Sequence, residues 1–489
     1  MKGLSDREIE AVRELVASKL GLVLDGSRLE ELESALAERL EATGETGAAY
    51  LHRLSSPAAG AREMRALVPR LTVGESYFFR HAEHFTALFD DVLPRWFAGG
   101  RDRVRILSAG CSSGEEVHTL AFLALERVPD AAERVSILGI DVDPEAIARA
   151  RAGVYSAWAL RQTAEDVAAR WFTRRGRTWE VVERARRLVS FEERNLVAED
   201  ASFWAPCAFD VVFCRNVIMY FSASAARAVV HRLAASLPGE GCLFLGHAET
   251  LRGLSHDFHL RHVEDAFYYE KKGGRAPAGA EEGRPAATPT VAPPSEEAWV
   301  DVILGASERI AALAASTSRP VPAAGLVPTL SGNADERPAE ALELLSSLPS
   351  SAREDRDALL LRAVLLTNGG PTGEARQAID RLLALDEFDP GAHYLMALCR
   401  EAEGDDAAAC EHHHRSIYLD PRFAMPHLHL GRLARKGGDT ALAARTLSRA
   451  AELLAEEDSA RILLFGGGFP REVLIAICRR ESAAVGGAA

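Results

Sequence analysis

The stretch from Val104 to Phe122 constrains the fold more than any other part of the chain. It begins with apolar residues at alternate positions, which predict a strand, and it ends with apolar residues at helical spacing. The small residues 108–114, Ser-Ala-Gly-Cys-Ser-Ser-Gly, lie between them. Because small residues let a ligand approach the backbone and a helix N-terminus presents free N–H groups, this pattern is typical of the first unit of a nucleotide-binding α/β domain.

Acidic residues narrow the choice of ligand. Glu115 and Glu116 occupy the first turn of the predicted helix, where two carboxylates would repel a phosphate. Asp141 ends a second apolar strand, at the position where this fold binds ribose hydroxyls. A ligand with a ribose and a positive charge but no phosphate fits, and S-adenosylmethionine (SAM) is such a ligand. An ordinary tight turn of any α/β domain remains the alternative at this point.

Composition excludes several classes of protein. A net charge of −14 gives no support to nucleic-acid binding. The seven cysteines are scattered, which indicates a reducing compartment and no metal-type spacing. Consecutive residues of a helix point in different directions, so His412, His413 and His414 do not predict a shared metal ion. With no apolar run near ~20 residues and no signal peptide, we expect a soluble cytoplasmic protein without membrane insertion.

Polar residues follow a further predicted strand, 209–214. Arg215, Asn216 and Tyr220 come directly after it, where this architecture places its ligand site; the alternative for Tyr220 is a core position. Arg80 follows two aromatic residues ahead of the nucleotide-binding unit and is a candidate lid residue, although these residues alone favour a hydrophobic connector with a surface arginine.

Helical periodicity predicts an N-terminal helical region. The first helix follows Ser5 and stops at Gly21, and the second begins near Ser27 with its leucines inward. Arg28 belongs to the charged face of the second helix, which we expect to be solvated.

The C-terminal part contains a repeat. Gly370, Gly404 and Gly438 are 34 residues apart (404 − 370 and 438 − 404). Two further columns of small residues keep the same register: Ala363, Ala397 and Gly431, then Ala375, Ala409 and Ala443. This period predicts tetratricopeptide repeats (TPR), which are stacked pairs of helices.

The whole chain is therefore predicted to be multidomain. The expected segments are an N-terminal helical domain (1–70), an α/β Rossmann-like domain (71–272) with a small β-subdomain inserted at 158–195, a linker (273–337) with one candidate helix (296–315), an all-α TPR array (338–456) and a capping helix (457–482). The insert is rich in arginine, so it is either a solvated ribbon or a docking surface for an acidic partner.

These motifs resemble those of the chemotaxis receptor methyltransferase family, CheR. The matching blocks are TVGESYFFR (72–80), SAGCSSGEE (108–116), GIDVDPEAIARARAGVY (139–155), CRNVIMYF (214–221) and GHAE (246–249). They follow the family's order over residues 5–272, and several members also carry C-terminal TPRs.

The resemblance implies a cytoplasmic SAM-dependent enzyme that methylates glutamate side chains on the cytoplasmic domains of chemoreceptors. It places eight residues at the cofactor site: Ser76, Arg80, Glu116, Asp141, Asn195, Leu196, Arg215 and Asn216. Arg80 and Tyr220 would lie nearest the transferred methyl group. A sulfonium methyl is already activated and a glutamate carboxylate is ionised near neutral pH, so the reaction needs alignment and no general base.

Two departures from the family pattern lead to further predictions. Gly74 stands where the family often has asparagine, which would remove one contact to the cofactor. The insert lacks the Gly-rich loop of members that tether to a receptor's C-terminal pentapeptide, and the N-terminal helices lack a marked basic face. We therefore expect receptor binding without a tether.

Three functional interpretations stay open. The first is an active protein-glutamate O-methyltransferase whose TPRs bind an unknown signalling protein or regulate the enzyme in cis. The second is a methyltransferase-like TPR scaffold without catalysis. The third is a methyltransferase with a different protein acceptor.

Overall fold

The structure is a computed structural model that describes residues 4–273, 337–369 and 371–486. The chain divides into two units, Met1–Gly279 and Ala280–Ala489. The predicted linker at 273–337 lies almost entirely outside the described residues, as does its candidate helix at 296–315.

Four helices open the first unit: α1 Asp6–Leu20, α2 Ser27–Thr43, α3 Gly47–Ser55 and α4 Pro57–Leu71. The predicted apolar face of α1 is buried at Val12, Val16 and Leu20. Gly21 ends α1 with a positive φ of 73°, a conformation that glycine adopts without strain. A bridge between Leu22 and Phe221 joins this helical region to the α/β domain.

The described part of the first unit continues with ten strands and eight further α-helices. The strands are β1 Val104–Ala109, β2 Val135–Asp141, β3 Val154–Ser156, β4 Phe172–Arg175, β5 Thr178–Val181, β6 Val189–Glu193, β7 Val211–Cys214, β8 Cys242–Leu245, β9 Phe258–Val263 and β10 Ala266–Lys271. The helices are α5 Ala82–Thr86, α6 Leu93–Ala98, α7 Glu115–Arg127, α8 Ala131–Arg134, α9 Pro144–Ala152, α10 Glu165–Trp171, α11 Glu183–Arg186 and α12 Ala223–Ser236. A π-helical segment, Ala87–Val92, joins α5 to α6.

The main sheet has the order β6-β2-β1-β7-β8-β10-β9. Its first five strands are parallel, and the β9–β10 hairpin is antiparallel. All residues of β7 and β8 are buried, as expected for parallel strands covered on both faces. The chain leaves β1 toward β2 on one side and returns to β7 on the other. This reversal opens a crevice at the carboxyl ends of β1, β2 and β7.

The inserted subdomain differs from its predicted boundary. Its sheet has the order β3-β5-β4, so its first strand, Val154–Ser156, precedes residue 158. The run near Phe191, predicted to lie in the insert, is instead β6 and pairs in parallel with β2 from Ile137↔Val189 to Asp141↔Glu193. A short apolar run fits either sheet, and only the pairing with a strand about 50 residues away decides between them.

The second unit is built from helix pairs: α13 Arg337–Ser347, α14 Ser350–Arg353, α15 Arg356–Gly369, α16 Thr372–Leu385, α17 Pro390–Glu403, α18 Asp406–Leu419, α19 Ala424–Lys436, α20 Thr440–Glu456, α21 Ser459–Phe465 and α22 Arg471–Gly486.

The helix pairs keep the predicted 34-residue period. The first helices of three successive pairs begin at 356, 390 and 424, and the second helices begin at 372, 406 and 440. The small-residue column at Ala363, Ala397 and Gly431 is buried. A Cβ at Gly431 would lie 2.7 Å from Cγ of Leu447, so a small residue is needed for the helices to approach. The all-α TPR array is confirmed; Gly370 lies outside the described residues.

Candidate active site

One cleft lies at the carboxyl ends of β1, β2 and β7, and the segment 72–80 covers it. The structure brings every predicted site residue to the lining of this cleft: Ser76, Arg80, Glu116, Asp141, Asn195, Leu196, Arg215, Asn216 and Tyr220. Residues more than 140 positions apart in the sequence therefore line the same cleft.

The turn after β1 depends on its glycines. Gly110 has a φ of 80°, and a Cβ there would lie 2.4 Å from a methyl group of Val217. Gly114 has a φ of 89°, and a Cβ there would lie 2.7 Å from Cβ of Ala150. Because both positions exclude a side chain, the turn stays narrow and leaves backbone atoms exposed to the cleft.

Asp141 fixes this turn from the end of β2. Its Oδ2 accepts a hydrogen bond from the backbone N–H of Ser112 at 2.8 Å, and its Oδ1 accepts one from Asp143 at 2.9 Å. Burial raises the pKa of the Asp141 carboxyl, and these backbone donors oppose the rise. An ionised carboxylate has about four acceptor positions. The acceptor positions left over suit hydroxyl groups of a ligand.

Glu116 and Arg215 form a buried ion pair at the centre of the cleft. Nε of Arg215 lies 2.5 Å from Oε2 of Glu116, and Oγ of Ser108 donates to Oε1 at 2.7 Å. The Arg215 side chain is only 4% exposed. One of its terminal nitrogens donates to the backbone oxygen of Arg80 at 2.7 Å. Arg215 thus holds the covering segment against the floor of the cleft.

Glu249, from the GHAE block, shapes the loop after β7. Its carboxylate accepts backbone hydrogen bonds from Asn216 at 2.6 Å, Val217 at 2.8 Å and Gly246 at 2.8 Å. The backbone N–H of Met219 donates a fourth at 3.2 Å. Asn216 has a φ of 59°, which is unusual outside glycine. The GHAE motif was visible in the sequence, but the role of Glu249 was not, because its four donors come from two separate loops.

Two arginines present guanidinium groups to the cleft without an ion pair among the described residues. Arg80 donates to the backbone oxygen of Glu75 at 3.0 Å and lies 5.6 Å from the centre of the Tyr77 ring. Arg28 donates to the backbone oxygen of Leu71 at 2.8 Å, and its Nε is buried without a partner.

The placement of Arg28 corrects the prediction that it lies on a solvated helix face. It lines the cleft instead. Helical periodicity separates apolar from polar faces, but it does not reveal which polar edge meets a neighbouring domain.

Two further predicted residues, Asn195 and Leu196, lie in the loop after β6. Nδ2 of Asn195 donates to the backbone oxygen of Lys19 at 2.7 Å, and its Oδ1 accepts from Val197 at 2.9 Å. Leu196 is buried. Burial raises the pKa of Glu115, and hydrogen bonds from its own backbone, Ser113 and Ser76 oppose this rise without cancelling it. The Asn195 side chain therefore ties the loop after β6 to the end of α1.

The chemistry of the cleft fits SAM. The carboxylate of Asp141 is suited to ribose hydroxyls, and the narrow turn at Gly110 leaves room for the ligand against the backbone. Glu75, Glu116 and Asp143 also line the cleft, and each is paired with an arginine. The guanidinium groups of Arg80 and Arg28, which have no ion-pair partner among the described residues, suit a carboxylate.

Comparisons with known proteins agree with this chemistry. Residues 74–267 match the CheR methyltransferase, SAM binding domain. A probable chemotaxis protein methyltransferase of Rhizobium etli is 34% identical over 248 residues, covering 49% of this chain and 91% of the relative. A probable biofilm formation methyltransferase, WspC, of Pseudomonas putida is 30% identical over 447 residues, covering 90% of this chain and 97% of the relative.

The chain belongs to the CheR methyltransferase family. The chemotaxis protein methyltransferase of Escherichia coli is 29% identical over 262 residues, which is 53% of this chain and 89% of that protein. Like other CheR proteins, this one is a SAM-dependent protein-glutamate methyltransferase of the chemotaxis and biofilm type, and SAM is its cofactor. Within the described residues, no helix has the length and apolar character needed to cross a bilayer.

Proposed function

We propose that this CheR protein methylates glutamate side chains on the cytoplasmic helices of chemoreceptors, and that its TPR array binds a second protein of the same signalling pathway. The observation that carries the proposal is the pair of guanidinium groups, Arg80 and Arg28, which face the cleft with no carboxylate partner among the described residues. The names of the chemotaxis relatives support the acceptor class.

SAM supplies a methyl group that its sulfonium has already activated. The protein's contribution is the alignment of the acceptor carboxylate, which is ionised near neutral pH and needs no base. Arg80 orients this carboxylate through charged hydrogen bonds. Tyr220 forms the adjoining wall of the cleft, where it limits access of water.

The other residues hold these groups in place. Arg215 binds the backbone of Arg80 and pairs with Glu116, so the position of Arg80 depends on that ion pair. Asp141 binds ribose hydroxyls with its free acceptor positions. Ser76, Asn195, Leu196 and Asn216 complete the walls of the cofactor cleft.

Receptor binding does not use a tether in this proposal. Only Gly176 and Arg177 separate the paired residues Arg175 and Thr178, so the hairpin of β4 and β5 has a two-residue turn. A turn of this length offers little backbone for adding a receptor tail as an extra strand. Several arginines of the insert are already paired, among them Arg170 with Glu126 at 2.6 Å, and this favours the solvated-ribbon interpretation.

The test is transfer of radiolabelled methyl from SAM to purified cytoplasmic fragments of receptors from the same cell. The full chain is compared with Arg80→Ala, Arg80→Lys and the control Arg70→Ala, whose exposed side chain pairs with Glu38. We expect base-labile label with the wild type, a loss of about 100-fold with Arg80→Ala because the acceptor is misplaced, and no change with Arg70→Ala.

Receptor fragments with and without their C-terminal tail are labelled in parallel. Equal labelling supports recognition without a tether, and loss of label on removing the tail contradicts it. Binding of SAM in calorimetry without label on any receptor would overturn the receptor assignment and indicate a different protein acceptor. A chain that binds no SAM would be a scaffold.

A further inference from the structure

Three side chains from consecutive TPR helices converge outside the active site. They are Glu401 on α17, His413 on α18 and His429 on α19. Nε2 of His413 lies 2.7 Å from Oε1 of Glu401, and Nδ1 of His429 lies 3.1 Å from the same oxygen. Their exposed side-chain fractions are 25%, 0% and 17%, respectively. Of the three consecutive histidines 412–414, only His413 takes part in this cluster.

Tyr394 fixes the orientation of His429. Its hydroxyl lies 3.2 Å from the backbone oxygen of Phe465 and 3.4 Å from Nε2 of His429. A hydroxyl has one proton. When Tyr394 donates it to Phe465, the hydroxyl accepts the N–H of His429 Nε2, and Nδ1 of His429 is left as a lone pair. In that tautomer the lone pair faces the carboxylate of Glu401, and a cation bound between the two acceptors satisfies both.

We propose that Glu401, His413 and His429 form a binding site for Zn²⁺. Two imidazole nitrogens and one carboxylate are a common Zn²⁺ donor set, and bonds of about 2.0–2.1 Å place tetrahedral ligands roughly 3.3 Å apart. The ligand atoms already lie within 4.8 Å of one another. The hydrogen bond of Tyr394 to the outer nitrogen of His429 is the supporting contact that metal-bound histidines usually have.

The site has a structural consequence. Glu401 and His413 belong to one TPR pair and His429 to the next, so the ion links two repeats. Three protein ligands leave a fourth tetrahedral position, which water or a side chain of the bound partner fills. Zn²⁺ therefore stabilises the stacking of the array and adds a contact for its partner.

The experiment is calorimetric titration of the chelator-treated full chain with ZnCl₂, together with melting followed by circular dichroism. The variants are His429→Gln and His413→Gln, and His414→Gln is the matched control in the same histidine run. His247→Gln tests a second cluster of possible metal ligands, formed by His81, Glu83 and His247. The His247 side chain in this cluster is 53% exposed.

We expect the wild type, His414→Gln and His247→Gln to keep the Zn²⁺ site. His429→Gln and His413→Gln should bind Zn²⁺ about tenfold more weakly, or weaker still. Zn²⁺ should raise the Tm of the wild type but not of these two variants. Because His429 is partly exposed, His429→Gln should disturb folding less than His413→Gln does. The Co²⁺ absorption spectrum of the wild type gives a readout that needs no variant. Affinity unchanged in both variants, or a Co²⁺ spectrum without tetrahedral character, overturns the site.

Discussion

The guanidinium group of Arg28 lies 4.7 Å from the centre of the Tyr220 ring. One residue comes from the second helix of the N-terminal region and the other from the loop after β7, 192 positions later (220 − 28). The helical region therefore supplies part of the wall of the cleft, and we expect catalysis to depend on its docking against the α/β domain.

Arg28→Ala should lower the rate of methyl transfer about tenfold while SAM binding changes little. The loss corresponds to ~1–2 kcal/mol, the range of a desolvated cation–π contact. The measurement is kcat/KM with receptor fragments alongside calorimetry with SAM. Glu33→Ala, on the exposed part of the same helix, is the control. A rate equal to that of the wild type would show that Arg28 only packs.

Arg215→Ala should both destabilise the first unit and abolish most activity. It leaves Glu116 buried without its partner, which typically costs about 3–5 kcal/mol, and it frees the backbone of Arg80. Urea denaturation followed by tryptophan fluorescence measures the first effect, because five of the six tryptophans lie in this unit.

Arg65→Ala is the matched control for that change. It removes a pair with Glu193 in which the side chains are 59% and 34% exposed, so it should cost no more than about 1 kcal/mol. If both substitutions had the same effect on stability, burial of the Arg215–Glu116 pair would not be the cause.

Low pH should lower the stability of the N-terminal helical region, because Glu63 becomes protonated. Its carboxylate accepts hydrogen bonds from Arg39 at 2.7 Å, Arg53 at 2.6 Å and the Tyr50 hydroxyl at 2.9 Å. Burial opposes ionisation, yet these partners lower the pKa of Glu63 from 4.5 to about 2. Because the folded pKa is the lower one, the stabilisation is present above pH 4.5 and is lost as the pH falls toward 2.

Glu63→Gln tests this directly. We expect a loss of about 3–5 kcal/mol at neutral pH, and the difference from the wild type should shrink as the pH falls through this window. Glu38→Gln changes an exposed pair with Arg70 and serves as the control. A difference that stays constant with pH would mean that the charge of Glu63 is not what stabilises the fold.

Gly74→Asn should tighten SAM binding. A Cβ at Gly74 would meet only Oγ of Ser112, at 3.7 Å, so a side chain fits there. One added hydrogen bond contributes about 0.5–1.5 kcal/mol, which is roughly a three- to tenfold gain in affinity by calorimetry. Gly74→Ala supplies the Cβ without the amide and should bind as the wild type does. Equal affinity of the two variants would argue against an asparagine contact.

Short-range features of the sequence determined much of the fold of this protein. The turn residues Gly110 and Gly114, the acid at Asp141 and the 34-residue period each act through neighbours in the chain or through a backbone conformation that few residues adopt. For that reason the α/β unit and the TPR array could be predicted from the sequence, whereas the full set of residues that line the cleft was expected from the resemblance to the CheR family.

Tertiary structure alone decided which distant segments meet. It placed β6 in the main sheet, brought Arg28 onto Tyr220 and gave Glu249 its backbone donors. It also gathered Glu401, His413 and His429 from three helices. The physical reason is the same in each case: a periodic pattern specifies which face of an element is polar or apolar, but the partner of that face is chosen by packing between segments far apart in the chain.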